Sequence, residues 1–342
     1  MRVTIDEKTR EELRARIAEA GFHKVGFCDA SPLERERDYL ELRGPGPFEP
    51  TELPPRTDPG LLLEGARTVV AVALSYNHPD PPKPAGLRGR LSKYCRGLDY
   101  HDLMLERLQQ VAELISREYG ARSLCYVDTG PPLERAFAEK AGIGRMGKNT
   151  NLIIPGLGSW VFLGVLITDL EVPPDTAAAY SICGSCRLCL DACPTQCLDD
   201  WILDSENCLG YLNQKHHSIP QEHRHRMGDW LFGCDVCQDV CPHNKRAGSE
   251  LVPEFAPLEQ PGAFPSLLQL LEMTEGQFEE WFGPTAADWR GSEALKRNAL
   301  VALGNSGELE ALELLEPWCD CEHPVLAEHA RWGMKQLRSL EE

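Results

Sequence analysis

The feature that most constrains this chain is the spacing of its cysteines. Residues 180–245 hold nine of the fourteen cysteines. A first run has two gaps of two residues, then a gap of three residues and a proline: Cys183, Cys186, Cys189, Cys193 and Pro194. A shorter second run repeats the end of that pattern at Cys234, Cys237, Cys241 and Pro242. Runs of this kind are typical of two-cluster iron–sulfur proteins, in which the cysteine before the proline binds the other run's cluster.

The spacing predicts two sets of thiolate ligands for two [4Fe–4S] clusters. The first set is Cys183, Cys186, Cys189 and Cys241, and the second is Cys193, Cys234 and Cys237 with one open position. Cys197 and Cys208 compete for that position. We prefer Cys208, because Cys197 lies in a turn that is expected to lead away from the cluster and would then be a packed thiol. Structural zinc is the alternative, but these runs offer too many ligands at the wrong spacing.

Composition and charge patterning narrow the class of protein. The chain has 342 residues, 42% apolar and 26% charged, which is typical of a globular protein with room for about two domains. Its first residues are charged and carry no apolar stretch typical of a signal peptide. The most apolar segment, 152–168, is interrupted by Pro155, Gly156 and Gly158 and predicts strands, not a membrane span. We therefore expect a cytoplasmic protein without membrane attachment, in which cysteines serve as metal ligands or core residues.

Three segments follow from the hydrophobic patterns. Residues 1–175 are predicted to form an α/β (α+β) domain, with helices near 6–20, 101–119 and 132–141 and strands near 24–28, 68–76 and 123–128. Residues 176–250 are predicted to form a ferredoxin-like domain that bound metal organises. Residues 251–342 begin with a Pro-rich linker and continue as helices that resemble a HEAT-like pair.

A glycine-rich turn in the first domain raises the question of a bound cofactor. Residues 142–147 superficially match the dinucleotide fingerprint GxGxxG, but the turn follows a helix instead of a strand, so that interpretation fails. The turn is better suited to the close approach of a large planar or anionic ligand. A ferredoxin alone would not need about 175 residues ahead of its clusters, so this domain is expected to hold a cofactor or a substrate.

Several segments, in order along the chain, together resemble the epoxyqueuosine reductase family. They are PRTDP (55–59), SKYCRGLDYHDLM (92–104), YVDTGPPLERAFAEKAGIGRMGKNTNLI (126–153), GSWVFLG (158–164), both cysteine runs and KRNALVALGN (296–305). The resemblance implies a cobalamin-dependent iron–sulfur enzyme, related to reductive dehalogenases, that reduces epoxyqueuosine to queuosine at the wobble position of tRNA. It also implies an external flavodoxin- or ferredoxin-like donor, whose electrons pass through both clusters to cobalamin.

The same resemblance implies roles for individual residues. Asp128 matches the proposed proton donor and would need shielding from water, as burial beside an apolar corrin face could provide; its alternative role is to cap the next helix. The implied cobalamin contacts are Arg56, Cys95, Asp128, Lys148, Asn149, Leu152, Ser159 and Leu163. Their alternatives are a surface arginine for Arg56, a buried thiol for Cys95 and core packing for the leucines. The implied substrate-pocket residues are Tyr94, Asp99, Tyr100 and His101, of which His101 could equally cap a helix.

The net charge of −18 departs from what tRNA binding requires. We therefore expect a localised basic strip facing the anticodon stem-loop, with the wobble base splayed out into the pocket. Its predicted members are Lys215, His217, Arg224, Lys245, Arg246, Lys296 and Arg297, with solvated surface charges as the alternative for each.

Two other functions stay open. One is a corrinoid reductive dehalogenase of a small molecule, although the absence of an export signal and the presence of the helical tail argue against it. The other is a non-enzymatic polyferredoxin electron carrier, whose first domain docks a partner. Nothing in the sequence demands more than a monomer.

Overall fold

The computed structural model describes residues 3–176, 181–248 and 251–340. The helices and strands of the first segment are α1 (Glu7–Glu19), β1 (Lys24–Asp29), α2 (Glu34–Arg43), α3 (Pro54–Thr57), β2 (Thr68–Ser75), β3 (Arg90–Leu91), α4 (Tyr100–Tyr119), β4 (Ser123–Tyr126), α5 (Glu134–Lys140), β5 (Arg145–Met146), β6 (Leu152–Ile153) and β7 (Val161–Thr168). The predicted helices and strands are confirmed within a few residues. The apolar segment 152–168 contains two strands, as predicted.

A four-stranded sheet in the order β1-β2-β7-β4 forms the centre of the first segment, and every neighbouring pair is antiparallel. All eight residues of β2 are buried, because both faces of the sheet are covered. Val70, Val72 and Leu74 face the larger core, whereas alternate residues such as Val69 and Ala71 face a second, smaller core. Antiparallel pairing makes this an α+β arrangement.

Helix α4 begins with three of the four predicted pocket residues, Asp99, Tyr100 and His101, and Tyr94 lies in the short turn before it. Its N-cap is Asp99, whose side chain accepts a hydrogen bond from the His101 backbone N–H, and its C-cap is Gly120 with φ of 65°. Apolar residues at helical spacing, among them Met104 and Leu108, are buried against the sheet. The start of α4 therefore lies near the end of β4, where Asp128 follows.

Across residues 181–248, the described part of the cysteine-rich segment, the helices and strands are short. They are α6 (Leu188–Ala192), β8 (Leu198–Asp199), β9 (Ile202–Leu203), α7 (Leu209–Leu212), α8 (Gln221–Arg224), β10 (Trp230–Phe232), α9 (Val236–Asp239) and α10 (Pro242–Lys245). Strand β10 pairs in parallel with β3 of the first segment. Asp235 accepts hydrogen bonds from the Ser92 hydroxyl and from the Lys93 N–H, so the two segments are joined by buried polar contacts.

The last segment is helical and packs into the same core as the first. Its helices are α11 (Leu267–Glu272), α12 (Glu275–Phe282), α13 (Gly291–Gly304), α14 (Ala311–Leu315) and α15 (Pro324–Arg338). The larger core is one cluster of buried side chains in mutual contact, with members from Ile5 in the first segment to Leu337 in the last. A HEAT-type repeat and the boundaries of the three predicted domains stay predictions. None of the helices in the described residues is long and apolar enough to cross a membrane.

Candidate functional site

Asp128 lies on the loop after β4 and faces solvent. Its φ is +51°, a left-handed conformation that is uncommon for a residue other than glycine and is often found at functional sites. Its side chain is 65% exposed, and Oδ2 lies 3.4 Å from Nε2 of His101. The next helix, α5, has Leu133 as its N-cap. The capping role for Asp128 is therefore wrong, and the protein alone does not shield the carboxylate from water.

His101 connects two carboxylates. Its Nδ1 lies 2.6 Å from Oδ1 of Asp99, and its Nε2 faces Asp128. Burial lowers the pKa of His101, but the hydrogen bonds to Asp128 and Asp99 outweigh burial and raise the pKa to about 9. The imidazole is thus a cation at neutral pH, held beside Asp128. The helix cap at this position is Asp99, not His101.

The buried phenols of Tyr94 and Tyr100 lie near these carboxylates. The ring of Tyr100 is stacked between His101 and Phe162, with ring centroids 4.0 Å and 3.9 Å away. Burial raises the pKa of both Tyr94 and Tyr100 well above the ordinary value, and neighbouring negative groups that include Asp128 raise it further. Both phenols therefore remain neutral O–H donors. The structure thus brings together the four pocket residues and the aspartate that the resemblance implied.

Glu134 is a site residue that sequence reasoning missed. Burial raises the pKa of its carboxyl to about 8, and the charge of Asp128 contributes to the increase. Its Oε1 atom is buried and has no hydrogen-bond partner. The only signal in the sequence was an acid at the start of a helix, six residues after Asp128, which is ordinary for a helix N-terminus. Glu134 can carry a proton at neutral pH, next to Asp128.

Two of the implied cobalamin contacts have unpartnered buried donors. Arg56 is only 8% exposed, so its alternative as a surface arginine is wrong. Its Nη1 lies 3.2 Å from Glu49, while Nε has no hydrogen-bond partner, and its carbonyl accepts the Leu133 N–H at 3.0 Å. Asn149 is also buried, and its Nδ2 has no partner. Such orphaned donors fit a polar or anionic ligand that would satisfy them.

The other implied contacts are occupied by the protein itself. Cys95 is fully buried, with Sγ 3.2 Å from the Ser92 carbonyl, which is the packed-thiol alternative. Leu152 belongs to the smaller core and Leu163 packs against it, so both match the core-packing alternative. Ser159 and Lys148 instead bind the cysteine-rich segment: the Ser159 hydroxyl donates to Gln238 at 2.9 Å, and Lys148 Nζ lies 3.3 Å from Asp200.

The first predicted set of thiols surrounds one cavity. Its lining consists of Cys183, Cys186, Cys189 and Cys241 together with Asn149, Ile153, Leu188, Pro242 and His243. The Lys148 backbone N–H lies 3.4 Å from Cys183 Sγ, in the position of a donor that stabilises a thiolate. Four thiols from both runs around a small cavity fit a [4Fe–4S] cluster.

The second set also converges, but with five thiols. Cys234 and Cys237 lie close enough to Cys193 and Cys208 for their charges to interact. The expectation that Cys197 leads away from the cluster is wrong. Its Sγ lies 3.5 Å from Cys193 Sγ, and its thiol is hydrogen-bonded to that of Cys208. The Cys197 hydrogen bond and, against the effect of burial, the Gly210 N–H lower the pKa of Cys208. Cys208 lies between Cys197 and the second run, which favours it as the fourth ligand.

Comparisons with known proteins place these sites in a family. Residues 56–129 match the family described as epoxyqueuosine reductase QueG, DUF1730, and residues 182–244 match the 4Fe-4S double cluster binding domain. An epoxyqueuosine reductase of Bacillus anthracis is 37% identical over 97% of this chain and 90% of its own length. That of Gloeobacter violaceus is 38% identical, over 88% and 97%. The chain belongs to the epoxyqueuosine reductase family. It is therefore related to oxidoreductases, as the sequence motifs predicted.

Solved structures of epoxyqueuosine reductases have the same fold. One that contains a tRNA-Tyr epoxyqueuosine-modified stem loop is 34% identical, with a TM-score of 0.91 over 96% of this chain and 90% of that one. Another, from Bacillus subtilis, has its catalytic aspartate loop swung out of the active site, with the same identity and coverage and a TM-score of 0.90.

The predicted basic strip is partly wrong. Arg224 and Arg297 are each only 1% exposed. Arg224 pairs with Glu328 and donates to the Ile219 carbonyl, and Arg297 donates to the carbonyls of the loop that follows α7. Both arginines are structural, because buried carbonyls need donors. The remaining members are exposed or half-buried: Lys215, His217, Lys245, Arg246 and Lys296.

Proposed function

We propose that this member of the epoxyqueuosine reductase family reduces epoxyqueuosine to queuosine at the wobble position (34) of tRNA, the last step of queuosine biosynthesis. The observation that carries the proposal is the Asp128–His101 pair on the loop after β4, in a chain that matches a relative solved with an epoxyqueuosine-modified stem loop over nearly its whole length. The five basic side chains that remain accessible are proposed to contact the anticodon stem-loop of the tRNA.

The reaction removes one oxygen atom from an epoxide. It consumes two electrons and two protons, breaks both C–O bonds, leaves a carbon–carbon double bond and releases water. Asp128 would donate a proton to the departing oxygen, which is general acid catalysis. His101, 3.4 Å from the Asp128 carboxylate, would hold it in place, and the protonated His101 and Glu134 are the neighbouring groups that would supply the proton that Asp128 passes on. A mobile loop, as in the Bacillus subtilis relative, would carry Asp128 towards the substrate.

We propose cobalamin and two [4Fe–4S] clusters as the cofactors. Arg56 and Asn149, whose buried donors have no partner, would bind polar groups of the corrinoid. When bound, cobalamin supplies the strongly reducing centre that C–O cleavage requires. The cluster ligands would be Cys183, Cys186, Cys189 and Cys241 for one cluster and Cys193, Cys208, Cys234 and Cys237 for the other. A flavodoxin- or ferredoxin-like donor would reduce them in the cytoplasm, and the enzyme would act as a monomer.

The test is a single-turnover conversion. Protein reconstituted with iron, sulfide and cobalamin is incubated with epoxyqueuosine-containing tRNA and a reductant, and the nucleosides are then analysed by mass. We expect a loss of 16 mass units, the mass of one oxygen atom, that depends on both cobalamin and reductant. Unchanged epoxyqueuosine in the complete reaction would contradict the proposal. A halogenated phenol offered in place of tRNA tests the dehalogenase alternative.

A further inference from the structure

Three aromatic side chains from distant parts of the chain form an exposed cluster. The ring of Phe48 lies 4.8 Å from that of Tyr211 and 5.2 Å from that of Trp289. The guanidinium of Arg290 lies 3.4 Å from the Trp289 ring centroid and 4.2 Å from that of Phe48. We call Phe48, Tyr211, Trp289 and Arg290 the aromatic platform. It joins the loop between α2 and α3, helix α7 and the turn before α13.

The platform is exposed, whereas aromatic clusters in proteins are usually buried. Phe48 is 51% exposed and Trp289 is 52% exposed. Large apolar groups in contact with one another at a surface commonly mark an interaction site. About half of the surface of Phe48 and of Trp289 is accessible, so both rings can contact a further planar group.

The platform is also positively charged. Arg290 Nη1 lies 2.7 Å from His216 Nε2, its Nε is buried without a partner, and no carboxylate contributes to its electrostatic surroundings within the described residues. Lys215 and His217 flank His216 on the same short loop after α7. A cation without a counter-ion, in a chain with a net charge of −18, favours an anionic occupant.

Contacts connect the platform to both halves of the candidate site. Glu49, next to Phe48, pairs with Arg56, and the Arg56 carbonyl accepts a hydrogen bond from Leu133 on the loop that begins with Asp128. On the other side, the Tyr211 N–H donates to the Cys208 carbonyl at 2.9 Å. These contacts fix the platform to the segments that carry Arg56 and Cys208, so the fold sets its position relative to the candidate site.

We propose that the aromatic platform stacks unpaired nucleobases of the RNA loop that flank the base being reduced. Aromatic rings and an arginine plane suit single-stranded RNA, because every base has a π-face and the loop backbone is anionic. The inference rests on the proposed function and specifies which part of the substrate this surface recognises. Paired bases in the stem would not stack on the platform.

The test compares two RNA hairpins by fluorescence anisotropy. One is a complete anticodon stem-loop, and the other has the same stem closed by a flexible linker without bases. Stacking on an aromatic ring contributes enough that Trp289→Ala should raise the Kd for the complete loop about ten-fold. The Kd for the linker hairpin should not change. Trp289→Phe, which keeps a ring, should stay within about two-fold of the unchanged protein.

Controls separate stacking from folding and from the proposed function. Tyr39 is a similarly exposed aromatic residue under an arginine, Arg43, outside the platform, and Tyr39→Ala should leave both Kd values unchanged. If Trp289→Ala lowers the thermal midpoint, Phe48→Ala in a loop supplies the comparison. Equal losses on both hairpins, or none on either, overturn the inference. If the unchanged protein converts no epoxyqueuosine, the proposed function fails instead, whatever the binding result.

Discussion

At the scale of single residues, Asp128 is the group on which the proposed chemistry depends. Asp128→Asn keeps the shape and removes the acid, so we expect turnover of epoxyqueuosine to fall at least about 100-fold, the usual contribution of a general acid. Cobalamin binding, followed by its absorption spectrum, should persist. Asp102→Asn is the matched control, since Asp102 is an exposed carboxylate on the first turn of α4. Full activity in Asp128→Asn would remove its catalytic role.

His101 predicts a dependence of stability on pH. In the folded chain its pKa is about 9, above the value of about 6.5 expected for an unfolded histidine. The stabilising interaction with Asp99 and Asp128 is therefore complete below about pH 6.5 and is lost as pH rises through about 9. Urea unfolding at pH 6, 8 and 10 should show a smaller decline for His101→Gln than for the unchanged protein. An identical decline in both would contradict the charged pair; His217→Gln, an exposed histidine, should behave like the unchanged protein.

The positions of some site residues could be predicted from the sequence, and those of others could not. Tyr94, Asp99, Tyr100 and His101 lie within eight positions, so one local motif brings the last three to the start of α4 and Tyr94 to the short turn before it. Glu134 could not be found this way, because its raised pKa comes from burial by other segments. Likewise, a family motif reveals neither the exposure of Asp128 nor its positive φ.

At the scale of elements, the fourth ligand of the second cluster is either Cys208 or Cys197, and replacing each cysteine in turn distinguishes the two. Cys208→Ser should lower the iron content of reconstituted protein from about eight to about four atoms per chain, because a [4Fe–4S] cluster with three thiolates is labile. Cys197→Ser should keep about eight. Iron analysis and the absorbance near 400 nm measure both. The opposite result, loss with Cys197→Ser alone, would assign the open position to Cys197.

Local patterns explain single elements better than their assembly. Helix α4 was predictable because apolar residues recur at helical spacing and Gly120 suits its C-cap. The order β1-β2-β7-β4 was not, because pairing of strands nearly one hundred residues apart leaves no local signal. Two arginines of the predicted basic strip were misplaced for a related reason: Arg297, for example, is buried against the loop carbonyls of Asn213 and His217, which lie about eighty positions earlier.

At the scale of the whole molecule, one core joins the first and last segments. Ile5, Leu295 and Leu337 belong to the same buried cluster. The helical tail therefore supports the first segment, and a composition-based division of the chain does not reveal this. The turn at Trp289 and Arg290, which leads into α13, is consequently held close to the loop that contains Phe48.

Net charge and local charge make different predictions for tRNA binding. At −18 the chain as a whole repels RNA, so affinity must come from a few accessible cations whose contacts release counter-ions. Lys245 and Arg246, both exposed and close to Cys241, are the clearest of these. The double variant Lys245→Ala/Arg246→Ala should weaken binding and reduce the slope of log K against log salt by about one to two units.

The same titration discriminates between phosphate contacts and general electrostatics. A matched double variant, Lys8→Ala/Lys335→Ala, removes two exposed lysines from α1 and α15 and lowers the net charge equally. It should leave the slope unchanged, because charges farther from RNA than the Debye length of about 10 Å at 0.1 M salt are screened. Equal slopes for both double variants would mean that net charge governs binding and that Lys245 and Arg246 make no phosphate contact.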